Sequence, residues 1–369
     1  MNVSIQREAL LKPLQTICGV VERRQTLPIL SHVLLAFDGT MLTLTATDLE
    51  VEMVITVKAE SGTAGETTLP ARKFLDICRT LPDGVNIELK IEGDRAIIKA
   101  GRSRFTLSTL PSADFPNIDA VSDNLSLTLS QKDLKSLIDH TQFAMAQQDV
   151  RYYLNGLMLE ITDTGILRSV ATDGHRLAMC EIILSESVSE TKQIILPRKG
   201  VVELAKLLEE SDETIALEIG ANHIRIKIAD LIFTSKLIDG KFPDYNRVLP
   251  ANSDKLLQGE RTLLSQALTR ASILSNEKYR GVRLLLEKNA LRVVANNPEQ
   301  EEAEEQVEVE YGSDSLEIGF NVNYLLDALN AIVSNDAQIA FSDANSSCLI
   351  TAVGDHSAQC KYVVMPMRL

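Results

Sequence analysis

The chain repeats itself three times, and this periodicity restricts the fold more than any single motif does. The segments LTLTATDLEVEM, LRSVATDGHRLAM and LRVVANNPEQEEAEEQVEV alternate apolar and polar residues at period two. Each reaches a turn, at Asp48, Asp173 and Asn297, with steps of 125 and 124 residues. A second anchor keeps the step: LPARKFLDICRTL, LPRKGVVELAKLL and FNVNYLLDALNAI carry Pro70, Pro197 and Asn321 at equivalent places, 127 and 124 residues apart. A third anchor, RFTLSTLPSADFP, IFTSKLIDGKFPDY and KYVVMPMRL, closes each unit. Three registers agreeing within a few residues imply three tandem copies of one domain of about 120 residues, an ordinary domain size. The copies are expected at 1–125, 126–252 and 253–369.

Each copy reads as a strand and an amphipathic helix, alternating strands, a second strand and helix, then more strands. Helices are expected over residues 6–21, 71–81, 131–146, 198–209, 261–275 and 321–334. Leu134, Leu137, Ile138 and Met145 fall on one face of the third, and Phe74, Ile77, Cys78 and Leu81 on one face of the second, the spacing of elements that pack on a core. Short alternating segments such as 85–91 and 96–99 read as strands separated by Gly- or Asp-rich turns. The class is α+β, with two helices on antiparallel sheets in each copy.

The chemistry-bearing residues are sparse. Asp173, His175 and Arg176 lie within four positions and raise the question of a hydrolase site with an oriented histidine base. The equivalent positions hold Asp48, Glu50 and Val51 in the first copy and Asn297, Glu299 and Gln300 in the third, so a turn in which the Asp173 carboxylate caps backbone N–H groups is the better reading. HExxH, GxSxG, GxxxxGK[ST] and the dinucleotide-binding glycine pattern are absent. No catalytic residue, cofactor or metal is therefore expected. The five cysteines (Cys18, Cys78, Cys180, Cys348, Cys360) are scattered without a CxxC pair and read as ordinary thiols, with neither a zinc site nor a disulfide framework. The absence of a long apolar run and of an apolar leader points to a cytoplasmic protein without a membrane span.

Charge is distributed unevenly. The whole chain carries −14, yet the six expected helices hold twelve Lys and Arg against seven Asp and Glu, which leaves the remainder at −19. Arg72 and Arg79 stand seven apart on a polar helix face, Lys199 and Lys206 follow one repeat later, and Asn323 and Asn330 one repeat after that. Solvated helix faces often carry lysine, but donors reserved for equivalent faces of an acidic chain suit a phosphate-facing surface blind to base sequence. Trp is absent and aromatics total 4%, so base stacking is not the main mode. Tyr152 and Tyr153, beside Arg151 and Gln148, are the exception.

TLPILSHVLL, TATDLEVEM, GRSRFTLSTLPSADFP, QDVRYYLNG, VATDGHRLA, IFTSKLIDGKFPDYNRVLP, ANNPEQEEAEE and the terminal YVVMPMRL closely resemble the bacterial sliding clamp family, the beta subunits of DNA polymerase III. The likeness spans the whole chain, with departures only in loops such as 185–191 and 253–260. It implies a head-to-tail homodimer closed into a ring, helices inside and sheets outside, that encircles duplex DNA and tethers the replicative polymerase without catalysing a reaction. Arg24, Gln148, Tyr152 and Tyr153 would then touch DNA, joined by the helix cations Arg72, Arg79, Arg198, Lys199 and Lys206.

The resemblance also implies a dimer interface. It would set Lys73, Arg95, Arg102 and Arg104, with Phe105 and Leu107 on the opposite strand face, against Glu301, Glu304 and Glu305, with Ile273 and Leu274 as apolar contacts. Unlike edges that fit each other make a heterologous interface. Finally it implies a pocket for short linear peptides of the polymerase catalytic subunit, the clamp loader and other polymerases or repair proteins. Thr172, Gly174, His175, Arg176, Leu177, Pro243, Arg247, Val248, Ser347, Val363, Met365, Pro366, Met367 and Arg368 match it by motif. Methionine adapts to several related peptides. A repeat scaffold that binds only proteins is the remaining alternative.

Overall fold

The structure is a computed structural model, and it describes residues 1–21, 27–118, 125–185, 188–251, 253–354 and 358–368. The order strand, helix, three strands, strand, helix, three strands recurs three times. Its helices are α1 (Arg7–Ile17), α2 (Ala71–Thr80), α3 (Gln131–Asp139), α4 (Arg198–Leu207), α5 (Arg261–Ser272) and α6 (Val322–Ala331). Two short extra strands, Ser61–Thr63 and Glu310–Tyr311, interrupt the pattern in the first and third copies.

In space the described residues form two compact units, Met1–Lys132 with Val202–Leu237 and Asp133–Val201 with Ile238–Leu369. The first holds a five-stranded and an eight-stranded sheet, the second a nine-stranded and a four-stranded sheet, and every strand pairing is antiparallel. The repeats and the sheets do not coincide. In the first unit, Val51–Lys58 of the first copy pairs with Leu231–Lys236 of the second, Ile55 opposite Leu231 and Val51 opposite Ser235. In the second unit, the equivalent strand of the second copy, Arg176–Ile183, pairs with the last strand of the third, Gln359–Val364, Arg176 opposite Val364. A copy therefore shares its sheet with the next one, so the two compact units do not coincide with the three repeats.

Helices α1, α2 and α5 bury their apolar stripes. Leu10, Leu14 and Ile17 of α1, Ala71, Phe74, Leu75 and Cys78 of α2, and Leu264, Ala267, Leu268 and Ala271 of α5 are all buried. The helices are shorter than their periodicity predicts. α3 stops at Asp139 because the Thr141 N–H turns to Ile138 O at 3.1 Å, and its buried hydroxyl donates to Leu137 O at 2.6 Å. Met145 is still buried, but from the loop that follows. With the observed boundaries the six helices hold twelve Lys and Arg against six Asp and Glu, so the cationic bias stays.

One expectation is corrected. Cys180 and Cys360 are joined by a disulfide with their Cα atoms 4.0 Å apart. They are 180 positions apart in sequence, and only the register between Arg176–Ile183 and Gln359–Val364 sets them directly opposite. The other three cysteines are buried free thiols. Burial pushes Cys18 to about 11 and Cys78 and Cys348 to about 12, so all three stay protonated and unreactive.

Candidate functional site

The hairpin between Ile166–Thr172 and Arg176–Ile183 answers whether Asp173, His175 and Arg176 form an active site. Asp173 Oδ1 accepts from the backbone N–H groups of His175 at 2.9 Å and Arg176 at 3.0 Å. The Thr172 hydroxyl donates to Arg176 O at 2.6 Å and accepts from Gly174 N at 3.1 Å. Thr47 and Asp48 make the same set in the first copy: Asp48 Oδ1 accepts from Glu50 N and Val51 N, and Thr47 bonds Val51 O and Leu49 N. Even the backbone matches, with Gly174 at φ 88° and Leu49 at φ 78°. In the third copy the turn is longer, and Asn297 Oδ1 accepts from Glu301 N. The Asp173 carboxylate is thus consumed by turn formation, its second oxygen meeting Arg176 Nε at 3.2 Å. The exposed His175 ring stacks on Tyr324 at 6.4 Å.

Arg176 acts as a clasp. Its side chain is 13% exposed, ion-paired to Asp173 and Asp327. Nη2 donates to Phe143 O at 2.7 Å, and the guanidinium lies 4.6 Å from the Tyr324 ring centre and 5.4 Å from that of Phe143. Stacking on two rings while donating in a fork is what a planar guanidinium does and an ammonium does not. The cation joins the hairpin to α6 and to the 3-10 turn Gln142–Ala144.

Beside this clasp lies an apolar cluster made of Leu154, Met158, Val170, Leu177, Met179, Ile195, Phe242, Tyr245 and Val363. Tyr153, Ile238, Val248, Leu249 and Leu349 pack on it half-buried. Of the residues expected in a peptide pocket, Leu177, Val248 and Val363 belong to the cluster, and Thr172, Gly174, His175 and Arg176 form the adjoining hairpin turn. Ser347 is half-buried beside Cys348, and Pro243 is exposed. Arg247 is exposed and paired with Asp244 at 3.0 Å. The tail is pinned by its main chain: Met365 N donates to His175 O and Met367 N to Gly319 O, both at 2.9 Å. Met365 is 37% exposed, Pro366 and Met367 half-buried, and Arg368 exposed. Sequence reasoning missed Phe242, Tyr245 and Leu154, although the aromatic pair in FPDY was a signal.

A charged network supports the cluster. The Tyr245 hydroxyl donates to Glu160 Oε2 at 2.6 Å, Gln193 donates to Oε1 at 2.6 Å, and Arg168 bridges Glu160 at 2.5 Å and Glu181 at 2.7 Å. Burial works against the Glu160 anion, but the bonds from Tyr245, Gln193 and Arg168 outweigh it and hold the carboxyl below its ordinary range. Burial, then the bond to Glu160, raises Tyr245 to about 12.

The residues expected to face DNA are placed as follows. Arg24 lies outside the described residues. Gln148 is exposed at φ 57° and Tyr152 is 57% exposed. Tyr153 instead turns its ring toward the apolar cluster, edge-on to Tyr152 at 5.8 Å. The Gln148–Tyr152 loop is tied down where Asn155 bonds Asp149 N and O, each at 2.9 Å. Arg151 chelates Asp149 and so lowers that carboxyl to about 2. Arg72 and Arg79 are exposed on α2, Arg72 reaching Val21 O at 2.6 Å and Arg79 lying 3.8 Å from Asp76. On α4, Lys206 is exposed and pairs with Glu203, Arg198 donates to Met145 O, and Lys199 is half-buried.

Residues 1–119, 128–244 and 246–368 match the N-terminal, central and C-terminal domains of the DNA polymerase III beta subunit. The chain belongs to the DNA polymerase III beta subunit family. It is 56% identical to the beta sliding clamp of Pseudomonas aeruginosa and 52% identical to that of Escherichia coli K12, each over the full length of both chains. The crystal structure of the Pseudomonas aeruginosa DNA polymerase III subunit beta superposes with a TM-score of 0.97 at 55% identity, covering both chains fully. A sliding clamp from the same organism bound to griselimycin gives 0.96 at 55% identity, again with full coverage of both. The chain is a DNA sliding clamp of three tandem clamp domains.

Two strand edges of this clamp carry five of the residues expected at a dimer interface, Arg104, Phe105, Leu107, Glu304 and Glu305. Ser103–Ser108 is the outer strand of the five-stranded sheet and Glu302–Glu308 that of the four-stranded sheet. Arg104 is exposed and Phe105 and Leu107 are half-buried, in line with opposite strand faces. Arg102 is corrected: it sits in the turn before the strand, because the chain reverses at Gly101 with φ 57°. Lys73 and Arg95 are exposed, Ile273 is 73% exposed and Leu274 half-buried. Glu301 bonds Asn297, Glu304 pairs with Arg292, and Glu305 accepts both arms of Arg270 at 2.9 and 2.7 Å. No helix is long and apolar enough to cross a membrane among the described residues.

Proposed function

We propose that two copies of this clamp close head to tail into a ring around duplex DNA, with the interface formed by Ser103–Ser108 of one copy and Glu302–Glu308 of the other. The observation that carries this is the cyclic order of the sheets. Within the chain, the strand after the Asp48 turn pairs with the last strand of the following repeat, and the strand after the Asp173 turn does the same. The corresponding strand of the third repeat is Glu302–Glu308, and the last strand of the first is Ser103–Ser108; among the described residues each is an edge strand of its sheet. One is acidic, the other carries Arg104 with Arg102 in the turn just before it, and exposed strand edges pair readily. Ile273 and Leu274 add apolar burial, and the charge complement steers the encounter.

In this ring the helix cations, with Arg24, Gln148, Tyr152 and Tyr153, face the phosphates, and topology rather than tight contact retains the DNA. The copies end near residues 125 and 252. The polymerase catalytic subunit, the clamp loader and other polymerases or repair proteins insert short linear peptides at Leu177, Val248, Val363 and Met365, in the cytoplasm. The chain itself catalyses nothing, which agrees with the commitment of Asp173 to its turn. Light scattering tests the ring: wild type should have twice the chain mass, Arg104→Glu should shift it toward monomer, and adding Glu304→Arg should restore the dimer. A wild-type monomer at micromolar concentration refutes the proposal.

A further inference from the structure

Outside the clamp machinery, His140, Cys180 and Cys360 meet with a ring nitrogen and both Sγ atoms all within 4.8 Å of one another. They come from three places: the residue after α3, the strand Arg176–Ile183 and the strand Gln359–Val364. Beside them opens a cavity of about 190 Å³ lined by Ser136, His140, Cys360, Ile332 and Tyr362, among others.

The imidazole is oriented. Nδ1 lies 2.7 Å from Ser136 O, a carbonyl that only accepts, so Nδ1 carries the proton and the lone pair is on Nε2. A ring that donates one N–H to a backbone carbonyl and offers the other nitrogen is the second-sphere arrangement of metal-binding histidines. Cys180 is fully buried and Cys360 half-buried against the cavity. Two thiols and one neutral imidazole are a donor set for a thiophilic d¹⁰ ion, with hard cations disfavoured.

We propose that, with Cys180 and Cys360 reduced, this clamp binds one zinc ion through both thiolates and His140 Nε2, the fourth position opening to the cavity and taking water. The disulfide seen here and the bound ion exclude each other. Oxidation by a low-molecular-weight disulfide is balanced: two zinc-bound thiolates, one disulfide and two protons give the Cys180–Cys360 bond, two small thiols and the free ion. The site spans the junction of the second and third repeats, four residues from Arg176 along one strand and three from Val363 along the other. The ion and the disulfide are thus two ways of linking the strands that carry the peptide site.

The test uses full-length protein reduced with a phosphine and titrated with cobalt(II) as a spectroscopic stand-in, then with zinc in competition. One equivalent of cobalt with a thiolate charge-transfer band, displaced by zinc, is expected. His140→Gln removes a ligand and should weaken affinity by more than the roughly tenfold that loss of a supporting group alone costs. Cys360→Ser, at the more exposed of the two thiols, should abolish the band while far-UV circular dichroism stays native, and the oxidised protein should bind no cobalt. Absence of the band in reduced wild type, or its persistence at wild-type affinity in either variant, overturns the proposal.

Discussion

Replacing Arg176 with alanine should destabilise the second unit by about 3 kcal/mol, at the low end of what breaking a buried ion pair costs. The guanidinium is 13% exposed and sits between Asp173, 18% exposed, and Asp327, 42% exposed. Asp327 regains water when its partner is lost, whereas Asp173 does not, which places the value at the low end. Lost bonding to Phe143 O and lost stacking on Tyr324 and Phe143 fall within the same figure, because such terms are not additive. Arg176→Lys keeps the charge but loses the fork and should cost about 1.5 kcal/mol, one charge-assisted bond. The assay is the urea midpoint of the transition reporting this unit, combined with Asp327→Asn in a double-mutant cycle. A cost under about 1 kcal/mol for Arg176→Ala, the range of an exposed ion pair, would refute the clasp.

Tyr245→Phe should cost about 1.5–3 kcal/mol, the range for a bond to a charged group, read from the same urea transition. Glu160 is held below its unfolded-state value, so its contribution is fully present above that value and is lost as pH falls through the lower folded one. Acid unfolding of Glu160→Gln should therefore lack that component. Leu49→Gly should raise stability by up to about 1 kcal/mol by relieving the left-handed backbone, whereas Gly174→Ala should lower it by a similar amount. Removing residues 365–369 should abolish stimulation of the polymerase while light scattering still reports a dimer.

The repeats, the strand–helix order and the turns at Asp48 and Asp173 were legible because each depends on local periodicity and on side chains two or three residues from their partners. What lay between repeats was not. The Cys180–Cys360 pairing depends on the register of two strands from different copies, and no spacing rule carries that information. The periodicity overstates α3 because Met145 is buried at a helical interval from a loop, a coincidence that only the Thr141 hydrogen bonds expose. Tyr152 and Tyr153 are adjacent in sequence, yet the Tyr153 ring packs on the Leu177–Val363 cluster and Tyr152 stays exposed, a difference that adjacency does not reveal. The motif resemblance supplied the pocket residues, but the Glu160–Arg168–Tyr245 support came from three distant segments and left no local trace.

Retention on circular DNA tests encirclement most directly. Clamp loaded on a nicked circle should stay bound through high-salt gel filtration and be released when one restriction cut linearises the DNA. Equal loss from circle and line, or salt-sensitive binding with the same affinity for both, would contradict a closed ring.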